Sequence, residues 1–331
     1  MQIRRLDPAE KPQDAAAVCS AFRQWRQDYL PGLPAYGETR LRHWCMSGYQ
    51  EEALVFGAFA DEHAVEAEGF ATHGFQPTKN LDLAWSSIYV PAGKRDTGAE
   101  TALFEHLVQQ NVELGRKRLT CDPPRPATPL PFEHLYGGRV TDTAVMSTLD
   151  LSAIDRAQYE AWAEPSAKNA EYTLVGWVGH CPDELAESFC RAMDAMADQP
   201  LGTFEYEFPK YGVDRLRFGE DVMQKLGIRR YTQAALDPEG NVAGFNTLAG
   251  YPDEPELMEI WDTGVPKEHR GHGLGLRLKA AASLWVLEDR PSTRLVSTFN
   301  NDENQWMLAV NRTMGYRPMV DWPGYEFAIA D

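Results

Sequence analysis

Five pairs of identical residues stand at one fixed separation along the chain. Val90, Pro91, Arg95, Gly98 and Leu103 recur as Val265, Pro266, Arg270, Gly273 and Leu278, each 175 positions further on. Composition does not produce a shared offset across five pairs. The 331 residues therefore read as two copies of one domain, and that length is enough for two separate cores. The order of local patterns agrees. Apolar runs and alternation bounded by turn residues predict strands at 2–6, 53–60, 66–75, 81–90, 118–121 and 139–149, with helical periodicity over 14–29 and 98–114. The second segment predicts strands at 172–178, 230–236, 242–249, 257–265 and 295–299 and a last one ending near 329, with helices at 183–197, 213–226, 273–288 and 303–313. Pro182 stands where a helix begins, and Glu239-Gly240-Asn241 suits a hairpin turn. The stretch between, with Tyr159, Trp162 and Pro165, reads as a helical linker that packs. The expected division is 1–150, a linker at 151–170, and 171–331, in a mixed α+β class.

The charge balance narrows the partners. Thirty-two basic against 49 acidic side chains give a net charge of −17, the wrong sign for a surface that grips nucleic-acid phosphates. An acidic cleft would attract a cationic substrate, although charge spread evenly over a globular surface accounts for the same total. No stretch has the apolar length that spans a bilayer. Met1–Leu6 reads as a first strand rather than a signal peptide, so the expectation is a cytoplasmic protein without a membrane partner. The five cysteines form no CxxC pair, and His43-x-Cys45 lacks a second half at zinc-site spacing. Free thiols and no metal are expected.

The chemistry concentrates in one turn. An apolar strand ending at Val265-Pro266 runs into Arg270-Gly271-His272-Gly273-Leu274-Gly275 and then a helical pattern. At such a junction successive backbone N–H groups lack intrahelical partners and the helix dipole adds positive potential, which suits a diphosphate. Glycines let the backbone turn and let a ligand approach. A P-loop would need Gly-Lys-Ser/Thr, but Leu276-Arg277 follow Gly275. A dinucleotide fingerprint would need glycine at position 276. Arg-Gly-x-Gly-x-Gly after a Val-Pro strand end instead resembles the acetyl-CoA motif of the GNAT (GCN5-related) N-acetyltransferase superfamily. The resemblance continues through Leu295–Asn301 and Asn304-x-x-Met307-x-x-Val310-Asn311-x-x-Met314-Gly315-Tyr316, so it covers nearly all of 172–329. The two-domain plan is similar to actinobacterial members such as mycothiol synthase.

That resemblance implies two tandem folds, each a twisted, mostly antiparallel sheet flanked by helices. It implies acetyl-CoA held where the fourth and fifth strands splay apart. The backbone of Thr263, Gly264 and Val265 would bind pantetheine and the thioester oxygen, and the N–H groups of Arg270, Gly271, His272, Gly273, Leu274 and Gly275 the diphosphate. Asn300 and Asn304 would lie beside the pantetheine arm. A primary amine of a small molecule would attack the thioester directly. Making a lysine-like amine neutral near pH 7.4 costs roughly 4 kcal/mol, so a base is useful. Glu259 stands where some members place a glutamate base, and Asp262 is the second candidate. Strict alternation would put Glu259 and Trp261 on one face and Ile260 and Asp262 on the other. The chain departs from the family at Asn311, where many members carry the tyrosine that protonates the leaving thiolate. Asparagine donates a hydrogen bond but delivers no proton. His269 and His272 are expected to face solvent or the cofactor phosphates rather than to catalyse.

In the first copy the candidate bases become Ala84 and Ser87, and Gly271 and Gly275 become Asp96 and Glu100. Two carboxylates in the turn would repel a diphosphate, so that copy is expected to be degenerate and structural. A regulatory site there is the competing reading. For the whole protein the expectation is a monomeric acetyl-CoA-dependent N-acetyltransferase. A non-catalytic acyl-CoA sensor is the alternative that Asn311 leaves open. Between the second domain's first two helices, Phe204–Tyr211 mixes carboxylates with rings, which suits either an amine acceptor or a loop anchored by its aromatics.

Overall fold

The computed structural model describes residues 1–124 and 137–329. Two compact units emerge. One comprises Met1–Ala144, Leu201–Glu207 and Val320–Asp331, the other Val145–Pro200 and Phe208–Met319.

In the first unit, β1 (Gln2–Leu6), α1 (Pro12–Tyr29), α2 (Glu38–Trp44), β2 (Glu52–Phe59), β3 (Gly69–Phe75), β4 (Leu83–Tyr89), α3 (Ala99–Glu113) and β5 (Arg118–Cys121) follow in order. Helix α1 starts on Pro12 and buries Ala15, Val18, Phe22, Trp25 and Tyr29, the three-and-four spacing of a single helical stripe. On α3, Ala99, Leu103, Phe104 and Leu107 pack on Ala58, Ala71, Ala84 and Leu119 of the sheet. Burying each large side chain contributes about 1.5–3 kcal/mol. The seven-residue α2 carries too little periodicity to be seen in the sequence. Strands β1 to β4 are antiparallel neighbours and β4 pairs β5 in parallel. The neighbour of β5 on its other side comes from the far end of the chain. It is the second part of β12 (Arg317–Ala328), with Tyr325↔Cys121 and Ala328↔Arg118 in antiparallel register. Arg118 and Arg139 both hold Glu326, at 2.6 and 2.7 Å. That pairing keeps the Glu326 carboxyl below its ordinary range against the opposing pull of burial. Leu201–Glu207 is fixed here too. Arg118 donates to the Glu205 carbonyl at 2.9 Å, Gln76 to the Tyr206 hydroxyl at 3.0 Å, and Lys79 pairs with Glu207.

In the second unit, the latter part of β6 (Arg139–Asp150) is followed by α4 (Arg156–Ala163), β7 (Thr173–Val178), α5 (Asp183–Met193), α6 (Val213–Leu226), β8 (Arg229–Leu236), β9 (Val242–Gly250), β10 (Leu257–Gly264), α7 (Leu274–Asp289), β11 (Leu295–Asn301) and α8 (Gln305–Met314). The sheet order is β6-β11-β10-β9-β8-β7. Strands β7 to β10 run antiparallel and β11 parallel to β10. Every residue of β9 is buried, because both faces of the sheet are covered. Phe189 of α5 meets Trp177, Ala234 and Phe245 on one face. Ala280, Ala282 and Val286 of α7 meet Tyr231, Leu248, Met258 and Val296 on the other. The stretch before β7 is packed. Tyr159 donates to the Met314 carbonyl at 2.6 Å, and buried Arg277 donates to the carbonyls of Ala163, Asn169 and Tyr172, each at 3.0 Å.

The repeated offset has a structural counterpart. Gly98 and Gly273 both adopt left-handed backbone, φ +84° and +74°, immediately before α3 and α7. The five cysteines are buried and free. No helix among the described residues is long and apolar enough to cross a membrane.

Candidate functional site

The sheet of the second unit opens where the glycine turn begins. Strands β10 and β11 are in register from Leu257↔Leu295 to Glu259↔Ser297, yet they continue to Gly264 and Asn301. Past Glu259, β10 stays with β9, through Thr263↔Asn246 and Gly264↔Phe245. Thr263, Gly264 and Val265 therefore border a gap on the side that has left β11, with backbone groups outside that ladder. Asn246 fixes the Thr263 hydroxyl at 2.7 Å. A Cβ at Gly264 would stand 2.7 Å from the Phe245 ring, so any larger residue there would displace that ring. The Val265 carbonyl accepts from Arg270 Nε at 2.9 Å.

The turn then presents its N–H groups. Gly271 and Gly273 have φ of +86° and +74°, a conformation that disfavours other residues. Leu274 and Leu278 anchor the start of α7 against Tyr172, Ala235 and Ala243. The first turn of α7 carries no acidic residue and no side-chain cap, which leaves the positive end of the dipole unopposed. Lys267 and Arg270 both reach Asp198, at 3.0 and 2.8 Å, and they hold that carboxyl below its ordinary range. The two histidines are engaged with the segment before β7. His272 Nδ1 lies 2.8 Å from the Lys168 carbonyl and His269 Nδ1 3.2 Å from the Tyr172 hydroxyl.

Of the two carboxylates, Glu259 stands at the last paired position before the gap. It is only 8% exposed and accepts from the Trp261 indole at 3.2 Å. A register shift between Ile260 and Asp262 interrupts the strict alternation expected of β10. Asp262 now bonds Thr247, its N–H donating to Oγ1 at 3.1 Å and its carboxylate accepting at 3.3 Å. Thr247 and Ala249 alternate onto one face, and Trp261 packs with Ala249. The bulge thus brings both carboxylates to one face, because two β10 residues oppose one on β9. Burial pushes the Asp262 carboxyl up, opposed by Arg230, the Thr247 hydroxyl and Arg215. None of these three partners stood out in the sequence.

Asn311, 2% exposed, lies inside a buried polar chain. Lys279 of α7 donates to its Oδ1, and its Nδ2 donates to Asn300 Oδ1 at 2.6 Å. Tyr316 belongs to the surrounding core, with the Lys279 ammonium 4.8 Å from its ring centre. Asn304 caps α8, its side chain accepting from the Met307 N–H at 3.2 Å. The signal for Lys279 was available: it is the one charged residue between Arg277 and Glu288, in a helix apolar around its whole circumference. Burial lowers its pKa to about 7. The unfolded lysine keeps its proton to about 10.4, so between these values the unfolded chain binds more protons and stability rises with pH. Relative to Lys279→Met, the wild type is expected to gain about 2 kcal/mol between pH 7 and pH 9. Paired urea melts at the two pH values measure this, and a constant difference would refute it.

Residues 193–316 match the model of the acetyltransferase (GNAT) family. That match lies within the second half of the chain, and members of this family are acyltransferases. Among solved structures, a tandem GNAT protein from the clavulanic acid biosynthesis pathway is similar along its length. It is 21% identical with a TM-score of 0.78, covering 100% of this chain and 99% of that one. A GCN5-related N-acetyltransferase from Sphaerobacter thermophilus is 16% identical with a TM-score of 0.61, covering 100% and 96%. One from Kribbella flavida is 13% identical with a TM-score of 0.51, covering 78% and 86%. The whole chain thus has the fold of a tandem GNAT protein. A sequence comparison with curated proteins finds no match.

The first GNAT fold treats its corresponding cleft differently. Between β4 and β5, Trp25 and Tyr29 of α1 crowd Ile88, Val90, Arg95, Glu100 and Cys121, leaving a cavity of about 10 Å³, room for about one water molecule. Arg95 stacks on the Tyr29 ring at 4.9 Å. Glu100 occupies the first turn of α3, and burial raises its carboxyl pKa.

Proposed function

We propose that the second GNAT fold transfers an acetyl group from acetyl-CoA to a primary amine of a small molecule, and that the first is a degenerate, structural copy. The reading rests most on one juxtaposition: a strand that parts from its neighbour after Glu259 and a helix N-terminus free of acidic side chains, joined by two left-handed glycines. Acetyl-CoA supplies the activated acyl group. N–H groups from Gly271 to Gly275 hold the diphosphate at the positive end of α7, while that of Arg270 donates to the Lys267 carbonyl at 3.3 Å. The open edge of Thr263, Gly264 and Val265 offers donors to the pantetheine and to the developing oxyanion. Glu259, with Asp262 second, removes the amine proton. Asn300 and Asn304, either side of the β11–α8 junction, border the pantetheine arm. The first fold's filled cleft and its Glu100 support the division of labour.

A non-catalytic acyl-CoA sensor is the second reading, favoured by Asn311 standing buried where a tyrosine acid is absent. One measurement separates them. The full chain is given acetyl-CoA and a panel of small amines, and free thiol is followed with a thiol reagent. Amine-dependent thiol release is expected; tight binding of acetyl-CoA with no release from any amine would favour the sensor.

A further inference from the structure

A directed line of hydrogen bonds runs from the interior of α7 to the gap beside β10. Lys279, 1% exposed, has three N–H donors and no acceptor when charged. In that form its contact with Asn311 sets the carboxamide with its oxygen toward Lys279. The Asn311 Nδ2 must then point the other way, and it meets Asn300 Oδ1 at 2.6 Å. This orients the second carboxamide in turn, leaving Asn300 Nδ2 as the outward end. Asn300 lies on β11 beyond Ser297, past its last paired position with β10, and it is half-buried.

We infer that Lys279 is a positioning residue which, through Asn311, holds the Asn300 carboxamide with its N–H₂ toward the gap, as a donor to the sulfur of the departing thiolate. The inference rests on the acetyl-transfer reading above and assigns Asn300, rather than Asn311, as the group that touches the leaving atom. No proton travels along the line. The amine nitrogen adds to the carbonyl carbon as Glu259 takes its proton. The oxyanion then collapses, the carbon–sulfur bond breaks with its electron pair on sulfur, and the thiolate takes its proton from solvent after release. A donor aligned along a buried chain is polarised by its neighbours, which offsets the loss of a tyrosine acid.

The test uses the full chain, with coenzyme A and, as a reference, its desulfo analogue. Thiolate absorbance is followed against pH in the bound state. In Lys279→Met the midpoint of the bound thiol is expected to rise by about one pH unit. The kcat for thiol release is expected to fall roughly tenfold to a hundredfold, with the KM for acetyl-CoA changed less than about threefold. Asn300→Asp, near the surface and of the same shape, offers an acceptor in place of the donor. It is expected to give the same two changes should Lys279→Met fail to fold. Combining Lys279→Met with Asn300→Asp is expected to lower kcat no further than Asn300→Asp alone. Unshifted midpoints in the variants, or losses that multiply, would overturn the relay while leaving acetyl transfer standing. If the wild type neither binds coenzyme A nor releases thiol, both readings fall together.

Discussion

A glutamate at position 275 is expected to make the protein more stable and to cripple its binding of coenzyme A. Gly275 follows Leu274, the first residue of α7, and a side chain there meets nothing within 4 Å. Replacing glycine in a helix gains roughly 0.5–1 kcal/mol, and a carboxylate in the first turn favours the dipole by about 0.3–1 kcal/mol more. The melting temperature is expected to rise by about 2–4 °C. The first unit shows that such a helix accommodates the change, since Glu100 sits at the matching position of α3. Binding responds in the opposite direction. A carboxylate about 5 Å from a diphosphate opposes it by about 3 kcal/mol per charge at an effective dielectric near 20, equivalent to at least a hundredfold in affinity. Calorimetry and thermal melts on the same sample check both signs. Unchanged affinity would remove the diphosphate from this turn, whereas Glu100→Gly is expected to leave affinity for coenzyme A as it was.

Replacing Glu259 by Gln is expected to lower kcat/KM at pH 7 by about 10²–10⁴ and to do less harm at pH 9. The sign follows from the acceptor: a primary amine is largely protonated at pH 7 and increasingly free as pH approaches its own pKa near 10.4, so a base matters less there. Asp262→Asn is expected to cost less than about tenfold, since Thr247 already engages that carboxylate and a hydrogen bond to one neutral partner is worth about 1 kcal/mol. The profiles also discriminate by position. Burial raises the Asp262 carboxyl, so a rate that depended on it would fall away on acidification at a higher pH than for an ordinary carboxylate. Loss of such a limb in Asp262→Asn, with Glu259→Gln unaffected, would move the base to Asp262.

Much of the second unit was legible because its signals are local. Glycine at 271 and 273 after a Val-Pro strand end marks a left-handed turn before a helix, and the φ values agree. Pro182 caps α5 and the Gly240 turn closes the β8–β9 hairpin, again from short-range chemistry. What stayed hidden depends on partners distant in sequence. The bulge at Trp261 is set by how β9 meets β10, not by β10 alone, so strict alternation places Asp262 on the wrong face. Nothing in Tyr325–Ala328 announces that its pairing partner is β5 rather than a strand of the second unit. Lys279 could have been singled out as a lone cation in an apolar helix, yet its contact with Asn311 requires knowing that α7 and α8 are neighbours.

The place of β12 has a consequence for how the chain matures on the ribosome. Cys121 pairs with Tyr325, so the strand that covers β5 is translated about two hundred residues later. At roughly 5–20 residues per second that is an interval of about 10–40 s. During it, the nascent N-terminal half carries an uncapped row of hydrogen-bonding groups of the kind that recruits foreign strands. The half that arrives first is thus completed only by a strand made about two hundred residues later.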